Sequence, residues 1–336
     1  MTRSDRVGNA AGGRRPLELV RGMHNLQPQH RGSVVTIGNY DGVHRGHQHM
    51  LAAVVTKARA LGLPATVVTF EPTPREFFEG AAAPARLMRL REKLDALARY
   101  GIDRVVVLRF AETMRTMSAA AFEQRLLVDG LGARHVVVGH DFHYARRREG
   151  NIESLREAGL THGFTVEDVG QFVVDGDRVS SSLVREALGT HDLDRAAQLL
   201  GRPYRMTGRV RRGAQLGRKL GYPTANLALH RKVVPLWGIF AVRVTGAGLV
   251  DHPAVVSLGT RPTVDGTVPL LEVHLFDFDG DLYGQYLSVD FVRWLRAERK
   301  FASLDALVEQ MHVDSAQARA VLGIDKTGES LPVVPS

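Results

Sequence analysis

The sequence predicts an α/β protein in which a doubly wound parallel sheet is followed by a small antiparallel β-barrel with a C-terminal helix. A chain of 336 residues exceeds what one core usually organises, so two domains are expected. In the first half, short β-branched runs alternate with segments of helical periodicity, which is typical of a parallel sheet. In the second half, alternating runs are separated by glycines, with no long helix until Leu304, which is typical of a barrel.

The elements of the first half follow from periodicity. Short apolar runs predict strands, and apolar residues spaced three and four apart predict helices. The predicted strands are Val34–Ile37, Thr66–Phe70, Val105–Leu108, Val136–Val138 and Phe164–Val169, and the predicted helices are His47–Leu61, Leu87–Tyr100, Ser118–Leu127 and Ile152–Leu160. Because ligands of such sheets bind at the carboxyl ends of strands, polar residues that follow a strand are candidate site residues.

The second half begins after a helical segment. Arg185–Leu200 has helical periodicity and ends at Gly201-Arg202-Pro203, which marks the domain boundary. The predicted barrel strands are Arg205–Arg211, Ile239–Val244, Ala254–Leu258, Leu270–Phe276 and Tyr286–Val292, followed by one or two helices through Leu322. The expected organisation is a flexible extension over residues 1–31, an α/β domain over 32–186, a helical linker over 187–203, a barrel domain over 204–325 and a tail over 326–336.

Composition narrows the class of protein. No cysteine is present, which excludes disulfides and thiolate metal sites and fits a cytoplasmic setting. No apolar run approaches the roughly 18 residues needed to cross a bilayer, so no membrane partner is expected. The net charge of +8 is concentrated in residues 1–31 and 205–232, while the rest of the chain is net acidic. A compact phosphorylated ligand is therefore favoured over nucleic acid.

A phosphate-site motif follows the first predicted strand. It is Gly38-Asn39-Tyr40-Asp41-Gly42-Val43-His44-Arg45-Gly46-His47, after which a helix begins. Glycines allow close approach of a ligand to the main chain, and the helix N-terminus directs unpaired N–H groups at an anion. The candidate phosphate contacts are Gly38, Asn39, Asp41 and Gly46. His44 and His47 project from one face of the first turn and are expected to stabilise a polyphosphate, although a metal pair or surface histidines remain alternatives.

Three further segments of the first half are unusual. Thr69–Phe78 contains two prolines and is expected to hold a rigid loop beside the site, with a packed exit loop that buries two phenylalanines as the alternative. Asp141 follows the strand that ends at Val138 and is a candidate contact to ATP. Ser180, Ser181 and Ser182 open a helix that carries Arg185 one turn later, a pattern that fits either a helix cap or hydrogen bonds to a triphosphate.

The barrel domain carries a phosphate motif of its own. Its candidate phosphate contacts are Gly217, Arg218, Lys219 and Gly221. Thr224 and Asn226 offer hard oxygen ligands of the kind that Mg²⁺ prefers. Strict alternation in Leu271–Leu275 places Glu272 opposite the apolar side chains, so it is either a solvated residue or a base that takes a hydroxyl proton.

From about Ser33 to Leu322 these motifs resemble those of the bifunctional bacterial riboflavin kinase/FAD synthetase family. The first half looks like its nucleotidyltransferase-like FMN adenylyltransferase module, whose motifs match Gly38–His47, Phe70–Pro72, Gly139–Phe142 and Ser181–Arg185. The second half looks like the riboflavin kinase barrel, whose signatures match Pro223–Asn226 and Gly259–Thr263.

The resemblance implies two ATP-dependent reactions with Mg²⁺. The barrel is expected to phosphorylate riboflavin to FMN with Glu272 as catalytic base. The first domain is expected to convert FMN to FAD and pyrophosphate, with His44, His47 and Arg185 as catalytic residues. Arg296 and Phe301 are implied to lie beside the flavin. The implied partners are riboflavin, FMN and ATP, with neither nucleic acid nor membrane, and the chain is expected to be a monomer or a weak homo-oligomer.

Several positions of the first half differ from the family pattern. Tyr40 stands for Phe, Thr73 for His, His140 and His143 for an acidic residue and Arg, Ala145 for Gly and Leu183 for Arg. These differences leave open an alternative, a riboflavin kinase whose adenylyltransferase half is weakened or inactive. A nucleic-acid-binding protein is the alternative from another class, but the basic segments 1–31 and 205–232 contain Tyr222 as their single Phe, Tyr or Trp, whereas stacking on bases requires aromatic residues interleaved with the basic ones.

Overall fold

A computed structural model describes residues 5–7, 16–213, 217, 220–263 and 266–324. The chain divides into two compact units, which are treated separately below. The first comprises Met1–Pro84 and Met88–Ser181, and the second comprises Ala85–Leu87 and Ser182–Ser336. The division after Ser181 lies five residues before the predicted end of the first domain at residue 186, and the predicted linker over 187–203 falls inside the second unit.

The first unit is built on one sheet. Its strands are β1 (Asp5–Val7), β2 (Leu17–Arg21), β3 (Ser33–Ile37), β4 (Ala65–Phe70), β5 (Arg104–Leu108), β6 (Ala133–Gly139) and β7 (Thr165–Val169). The strand order is β1-β2-β5-β4-β3-β6-β7, and all neighbours pair in parallel except β1 and β2. The predicted parallel sheet is confirmed, with every predicted strand of this half present.

Helices cover both faces of this sheet. They are α1 (Arg45–Leu61), α2 (Pro74–Glu79), α3 (Leu90–Arg99), α4 (Glu112–Arg115), α5 (Ala119–Phe122) and α6 (Ile152–His162). Side chains of α1 and α3 pack with one face in a buried cluster that includes Leu51 and Leu97. Phe122, Leu126 and Leu155 belong to a second buried cluster. Because β3 and β5 are buried along their whole length, they carry near-continuous apolar runs rather than alternating ones.

Two predictions for the first unit differ from the structure. Residues Leu17–Arg21 of the predicted extension form β2, which pairs with β5 and buries Leu17, Leu19 and Val20. This short apolar run is surrounded by glycine and arginine, and its partner lies far along the chain. The predicted helix Ser118–Leu127 is α5 followed by a π-helical segment, Glu123–Gly130.

The connection between the predicted domains also differs from one continuous helix. Two helices are present, α7 (Ser181–Gly189) and α8 (Leu193–Leu200). His191 adopts a positive φ of 62° between them, and the side chain of Asp192 accepts a hydrogen bond from the backbone N–H of Arg195 to begin α8. A β-hairpin, β8 (Val173–Val174) and β9 (Asp177–Arg178), precedes α7 in the first unit.

The second unit is a closed antiparallel barrel, as predicted. Its strands are β10 (Tyr204–Arg211), β11 (Ala225–Ala228), β12 (Gly238–Gly246), β13 (Leu249–Thr263), β14 (Gly266–Leu275) and β15 (Tyr286–Arg296), in the order β10-β11-β14-β13-β12-β15. The helix α9 (Leu304–Val321) packs on the outside of the barrel, where Ala318 and Leu322 contact a cluster that includes Ile239 and Val255. Among the described residues, no helix combines the length and apolar character needed to cross a bilayer.

The strand β11 is absent from the sequence prediction. It begins at the end of the predicted phosphate motif, which runs from Gly217 to Asn226, and it is only four residues long. Its register pairs Asn226 with Glu272 of β14, while Leu227 pairs with Leu271 and both leucines are buried. The barrel interior therefore takes the leucines, and Asn226 and Glu272 share the outer face.

Candidate active sites

The first unit contains a cavity of about 690 Å³ at the carboxyl ends of its parallel strands. Residues that end or follow β3, β4, β6 and β7 line it, together with the N-terminus of α1. Eight of the predicted site residues lie on its wall: Gly38, Asn39, His44, Gly46, His47, Asp141, Ser180 and Ser181. Sequence segments that are more than one hundred residues apart are thus brought to one cavity, in the position where open parallel sheets bind ligands.

His44 and His47 form a stacked pair at the start of α1. The ring centroids lie 3.6 Å apart with 18° between the ring planes. His44 is the N-cap residue, and its Nδ1 atom accepts a hydrogen bond from the backbone N–H of His47 at 3.3 Å. That acceptor role leaves the Nε2 atom of His44 to carry the proton.

The Nδ1 atom of His47 is buried and has no hydrogen-bond partner among the described residues. The pKa of His47 is lowered well below its usual range, chiefly by burial and further by the positive charges of His44 and Lys93. The ring is therefore neutral near pH 7 in the ligand-free protein. A buried polar atom that lacks a protein partner is expected where a ligand supplies one.

Gly46 lies where a side chain would make tight contacts. A Cβ atom at this position would lie 3.3 Å from His44 Nδ1 and 3.3 Å from the carbonyl oxygen of Val179. The glycine thus lets the segment before Ser180 approach the histidine pair closely. This contact places the predicted serines and the predicted histidines on the same side of the cavity.

Tyr40, which replaces the family's usual Phe, lies beneath the histidine pair. Its ring centroid is 5.0 Å from that of His47. Its hydroxyl is 2.6 Å from the hydroxyl of Thr36, and burial raises its pKa. The added hydroxyl is therefore accommodated by a hydrogen bond in the core.

Asp41 is not on the cavity wall, although the sequence makes it a candidate phosphate contact. Its side chain is buried, and Oδ1 accepts the backbone N–H of Met88 at 2.9 Å. Its carbonyl oxygen accepts a hydrogen bond from the hydroxyl of Ser181 at 2.8 Å. The structure thus uses Asp41 to hold neighbouring backbone segments together.

Asp141 is on the wall and is paired with a cation. Arg178 of β9 donates to Asp141 Oδ1 at 2.7 Å, and this hydrogen bond is the main cause of the lowered pKa of that carboxyl group. His140 pairs with Asp168 at 2.9 Å, which raises the pKa of the exposed histidine. His140 and His143, two of the positions that differ from the expected family pattern, both line the cavity.

An aromatic wall was not assigned from the sequence. Phe110 lies at the centre of a cluster in which its ring centroid is 5.8, 5.4 and 5.7 Å from those of Phe70, Phe77 and Phe78. Phe70, Phe78 and Phe110 line the cavity beside Arg115. Three of the four rings come from the proline-containing segment Thr69–Phe78, whose placement beside the site was predicted from its rigidity.

Thr73, Ser182 and Arg185 are not among the residues that line the first cavity. Thr73 is the N-cap of α2 and forms a reciprocal capping pair with Glu76. Ser182 and Arg185 fall in the second unit, where Arg185 Nε donates to the carbonyl oxygen of Ala85 at 2.6 Å.

The second unit contains a cavity of about 560 Å³ between the outer face of the barrel and α9. Neighbouring strands place Asn226, Glu272 and Ser257 side by side, since Asn226 pairs with Glu272 and Glu272 pairs with Ser257. All three line the cavity. Ser257 donates to Glu298 Oε1 at 2.9 Å. The predicted base therefore lies on the sheet between an amide and a hydroxyl.

The predicted phosphate loop approaches this row of residues. Gly217 and Thr224 line the cavity. The carbonyl oxygen of Gly217 accepts a hydrogen bond from the backbone N–H of Tyr222 at 2.8 Å. A Cβ atom at Gly217 would collide with the carbonyl oxygen of Tyr222 and lie 3.4 Å from the hydroxyl of Thr224. Gly221 lies in the turn with a positive φ of 81° and is exposed. The predicted contacts Arg218 and Lys219 lie outside the described residues.

The predicted flavin contacts Arg296 and Phe301 line the same cavity. Arg296 is held by the buried carboxylate of Asp314 on α9, with Nε–Oδ1 and Nη2–Oδ2 distances of 2.8 and 2.6 Å. The Phe301 ring lies 5.8 Å from the guanidinium of Arg296 and 4.9 Å from that of Arg299. An apolar ring flanked by fixed cations suits a planar, polar-edged ligand.

Comparison with known proteins gives both halves a family. The FAD synthetase family model matches residues 26–183, and the riboflavin kinase family model matches residues 200–322. The bifunctional riboflavin kinase/FMN adenylyltransferase of Pseudomonas fluorescens is 51% identical over 306 residues, which cover 91% of this chain and 98% of that protein. The chain belongs to the bifunctional riboflavin kinase/FMN adenylyltransferase family.

A second relative with the same description and one solved structure are also similar to most of this chain. The protein of the same description from Escherichia coli strain K12 is 44% identical over 92% of this chain and 99% of its own length. A crystal structure described as a macrolide-efflux protein from Streptococcus pneumoniae has a TM-score of 0.78 and 29% identity, and covers 90% of this chain and 98% of its own. Since both family models match, nothing favours the alternative of a kinase with an inactive first half.

The family's ATP chemistry implies a divalent cation, and the second cavity has a suitable set of donors. The hydroxyl of Thr224 and the amide of Asn226 line it together with the carboxylate of Glu272. Mg²⁺ is commonly held by one or two protein oxygens together with water and substrate phosphates. Thr224 and Asn226 would supply the protein oxygens here, as the sequence predicts.

Proposed function

We propose that the cavity of the second unit phosphorylates riboflavin to FMN with ATP, and that the cavity of the first unit converts FMN and a second ATP to FAD and pyrophosphate. The observation that carries this assignment is that each unit has its own cavity, lined by the motif residues of one of the two activities. Each half of the chain also matches the family model for one of them.

In the kinase reaction, the Glu272 carboxylate takes the proton of the terminal ribityl hydroxyl of riboflavin. That oxygen attacks the γ-phosphorus of ATP, and the bond to the oxygen of the leaving ADP breaks. A bound Mg²⁺ would offset the charge on the phosphates. Arg296 and Phe301 hold the isoalloxazine ring, and the backbone around Gly217 holds the phosphates, with Arg218, Lys219 and Gly221 as further predicted contacts.

In the adenylyltransferase reaction, a phosphate oxygen of FMN attacks the α-phosphorus of ATP, and pyrophosphate leaves. His44 and His47 donate hydrogen bonds to the phosphate oxygens on which charge develops. Gly38, Asn39, Gly46, Ser180 and Ser181 surround the same cavity and position the triphosphate. A catalytic role for Arg185 and phosphate contacts for Ser182 and Asp41 remain predictions from the family motif.

The aromatic wall of the first cavity is assigned to the flavin ring of FMN. Phe70, Phe78 and Phe110 offer apolar faces of the size of an isoalloxazine, and Arg115 stands beside them. The histidine pair lies on the same cavity wall as the predicted phosphate contacts. FMN thus spans from the aromatic wall to the phosphate-binding turn.

Chromatography of the products formed from riboflavin, ATP and Mg²⁺ tests the two assignments. The wild-type chain is expected to accumulate FAD. The variant carrying both His44→Ala and His47→Ala is expected to stop at FMN, and Glu272→Gln is expected to form neither product from riboflavin while still converting added FMN to FAD. Equal loss of both activities in either variant would contradict the separate sites.

Two finer predictions concern the state of the protein. A monomer or weak homo-oligomer is proposed, because each cavity is lined within one unit of a single chain. Sedimentation equilibrium measures this directly. A cytoplasmic location fits a chain without cysteine and is tested by cell fractionation.

A further inference from the structure

His274 stands two residues after Glu272 on β14. Because strand side chains alternate, the two share the outer face of the barrel, and both line the second cavity. His274 is partly buried, and its pKa is lowered mainly by that burial. None of the roles assigned above to the kinase residues uses this imidazole.

The imidazole is bonded to the loop that carries the predicted metal ligands. His274 Nδ1 lies 2.9 Å from the carbonyl oxygen of Pro223. A carbonyl oxygen can only accept, so Nδ1 carries the proton and donates it. Pro223 directly precedes Thr224 and is three residues before Asn226. This hydrogen bond therefore joins the strand of the base to the backbone that bears both oxygen donors.

Tyr222 completes the attachment. Its ring packs against that of His274 with centroids 5.0 Å apart, and its hydroxyl contacts His312 Nδ1 on α9. The backbone N–H groups of Leu220 and Tyr222 both donate to the carbonyl oxygen of Gly217. The loop is thus closed on itself at Gly217, while its exit at Pro223 is fixed by His274.

We propose that His274 is a positioning residue of the kinase site, which holds the Pro223 carbonyl so that Thr224 and Asn226 meet the ATP-bound cation at a fixed distance from Glu272. This role rests on the proposed function of the second cavity. In other proteins, residues that hydrogen-bond to metal ligands orient those ligands in a similar way. Loss of such a hydrogen bond typically weakens metal affinity or activity by about 10- to 100-fold.

Two variants of the full-length chain separate the hydrogen bond from the ring. In His274→Asn the amide nitrogen is attached to Cγ, as Nδ1 is, and can still donate to Pro223. In His274→Gln the amide is one bond further out, and both variants lose the same aromatic packing. The probes are Mn²⁺ binding in the presence of a non-hydrolysable ATP analogue, followed by electron paramagnetic resonance, and the KM and kcat of riboflavin phosphorylation.

We expect His274→Gln to weaken Mn²⁺ binding about 10-fold and to raise the Mg²⁺ concentration needed for half-maximal FMN formation by a similar factor. The KM for riboflavin should be unchanged, and His274→Asn should stay close to wild type. Equal impairment of both variants, unchanged Mn²⁺ binding in His274→Gln, or an effect confined to riboflavin would overturn the proposal.

The failure of the kinase assignment itself is distinguishable. If Glu272→Gln phosphorylates riboflavin at the wild-type rate, the proposed function of the cavity is wrong, whereas the Mn²⁺ measurement still decides whether His274 positions the loop. Conversion of FMN to FAD by each variant reports whether the rest of the chain is intact. If a His274 variant loses both activities, only its Mn²⁺ affinity is compared with that of the wild-type chain. A wild-type Mn²⁺ affinity in such a His274→Gln variant overturns the proposal.

Discussion

His47 is stacked on His44 with the ring centroids 3.6 Å apart, and its own Nδ1 atom is buried without a partner among the described residues. Two cationic rings at this distance would repel each other, and the nearby Lys93 adds to that repulsion. The pair therefore stays at most singly charged until an anion arrives. A polyphosphate reverses this balance, because it favours the protonated form of each ring.

ATP binding to the first unit is expected to take up a proton. The pKa of free His47 lies below 6.5, and an adjacent phosphate raises it. Between these two pKa values the complex binds more protons than the free protein, so affinity rises as pH falls through the pKa of the complex. Calorimetric titration with Mg²⁺–ATP in two buffers of different ionisation enthalpy measures the uptake. His47→Asn is the control and should remove it, whereas proton release on binding would contradict the assignment.

Gly46→Ala is expected to lower FMN adenylylation by about 10-fold, since a full ångström of misplacement costs about 100-fold and the neighbours here need to yield by only a few tenths of an ångström. The new Cβ would press on His44 Nδ1 and on the carbonyl oxygen of Val179, each 3.3 Å away. Gly170→Ala is the matched control, because Gly170 lines the same cavity and a Cβ atom there would have no other atom within 4 Å among the described residues. Steady-state kinetics of both variants should differ in the adenylyltransferase step and agree in riboflavin phosphorylation.

Ala145→Gly is expected to stabilise the first unit by about 1 kcal/mol. Ala145 adopts φ 64° and ψ −172°, a backbone region that suits glycine. The control is Ala52→Gly on the exposed side of α1, which should destabilise by about 1 kcal/mol because its backbone is helical.

Urea unfolding measures the Ala145→Gly effect for the first unit alone. Both tryptophans, Trp237 and Trp294, lie in the second unit, so a shift in far-ultraviolet circular dichroism without a shift in tryptophan fluorescence belongs to the first. A lower unfolding midpoint for Ala145→Gly would show that the loop is not strained.

Asp314→Asn is expected to destabilise the second unit by about 3 kcal/mol, because it leaves a largely buried guanidinium without its counter-charge. The Asp314 side chain is 6% exposed and that of Arg296 is 20% exposed. Asp194→Asn is the control, since it removes an exposed carboxylate from Arg293 on the same strand and should cost less than about 1 kcal/mol. Tryptophan fluorescence during urea unfolding compares the two, and equal losses would argue against burial as the cause.

Periodicity and motif order were sufficient to predict the sheet, the barrel and the motif residues that line each cavity. Strand β3 and the turn after it could be recognised because a β-branched run, glycines and a helix start are local features of the sequence. Glu272 could be placed on the outer face because alternation alone separates it from Leu271 and Val273. In each of these cases the determining contacts lie within a few residues.

The residues that sequence reasoning missed depend on distant partners. Strand β2 is defined by pairing with β5, more than eighty residues away, and Asp41 bonds the backbone of Met88, which is 47 residues away. Phe110 joins an aromatic cluster whose other members precede it by more than thirty residues. None of these relationships leaves a periodic or compositional signal. Composition also hid β2, because arginine and glycine dominate the segment around it.

Asn226, Glu272 and Ser257 meet on the outer face of the barrel because of the register of their three strands. Since side chains alternate between the two faces of a strand, the kinase site is sensitive to any change of strand length by an odd number of residues. One residue inserted into β14 ahead of Glu272 would turn the carboxylate into the barrel interior and bring an apolar side chain into the cavity. Such strands can change length only by two residues at a time or through a bulge. The loops that connect the strands are not subject to this restriction. Insertions and deletions of single residues that preserve the kinase site are therefore expected in these loops.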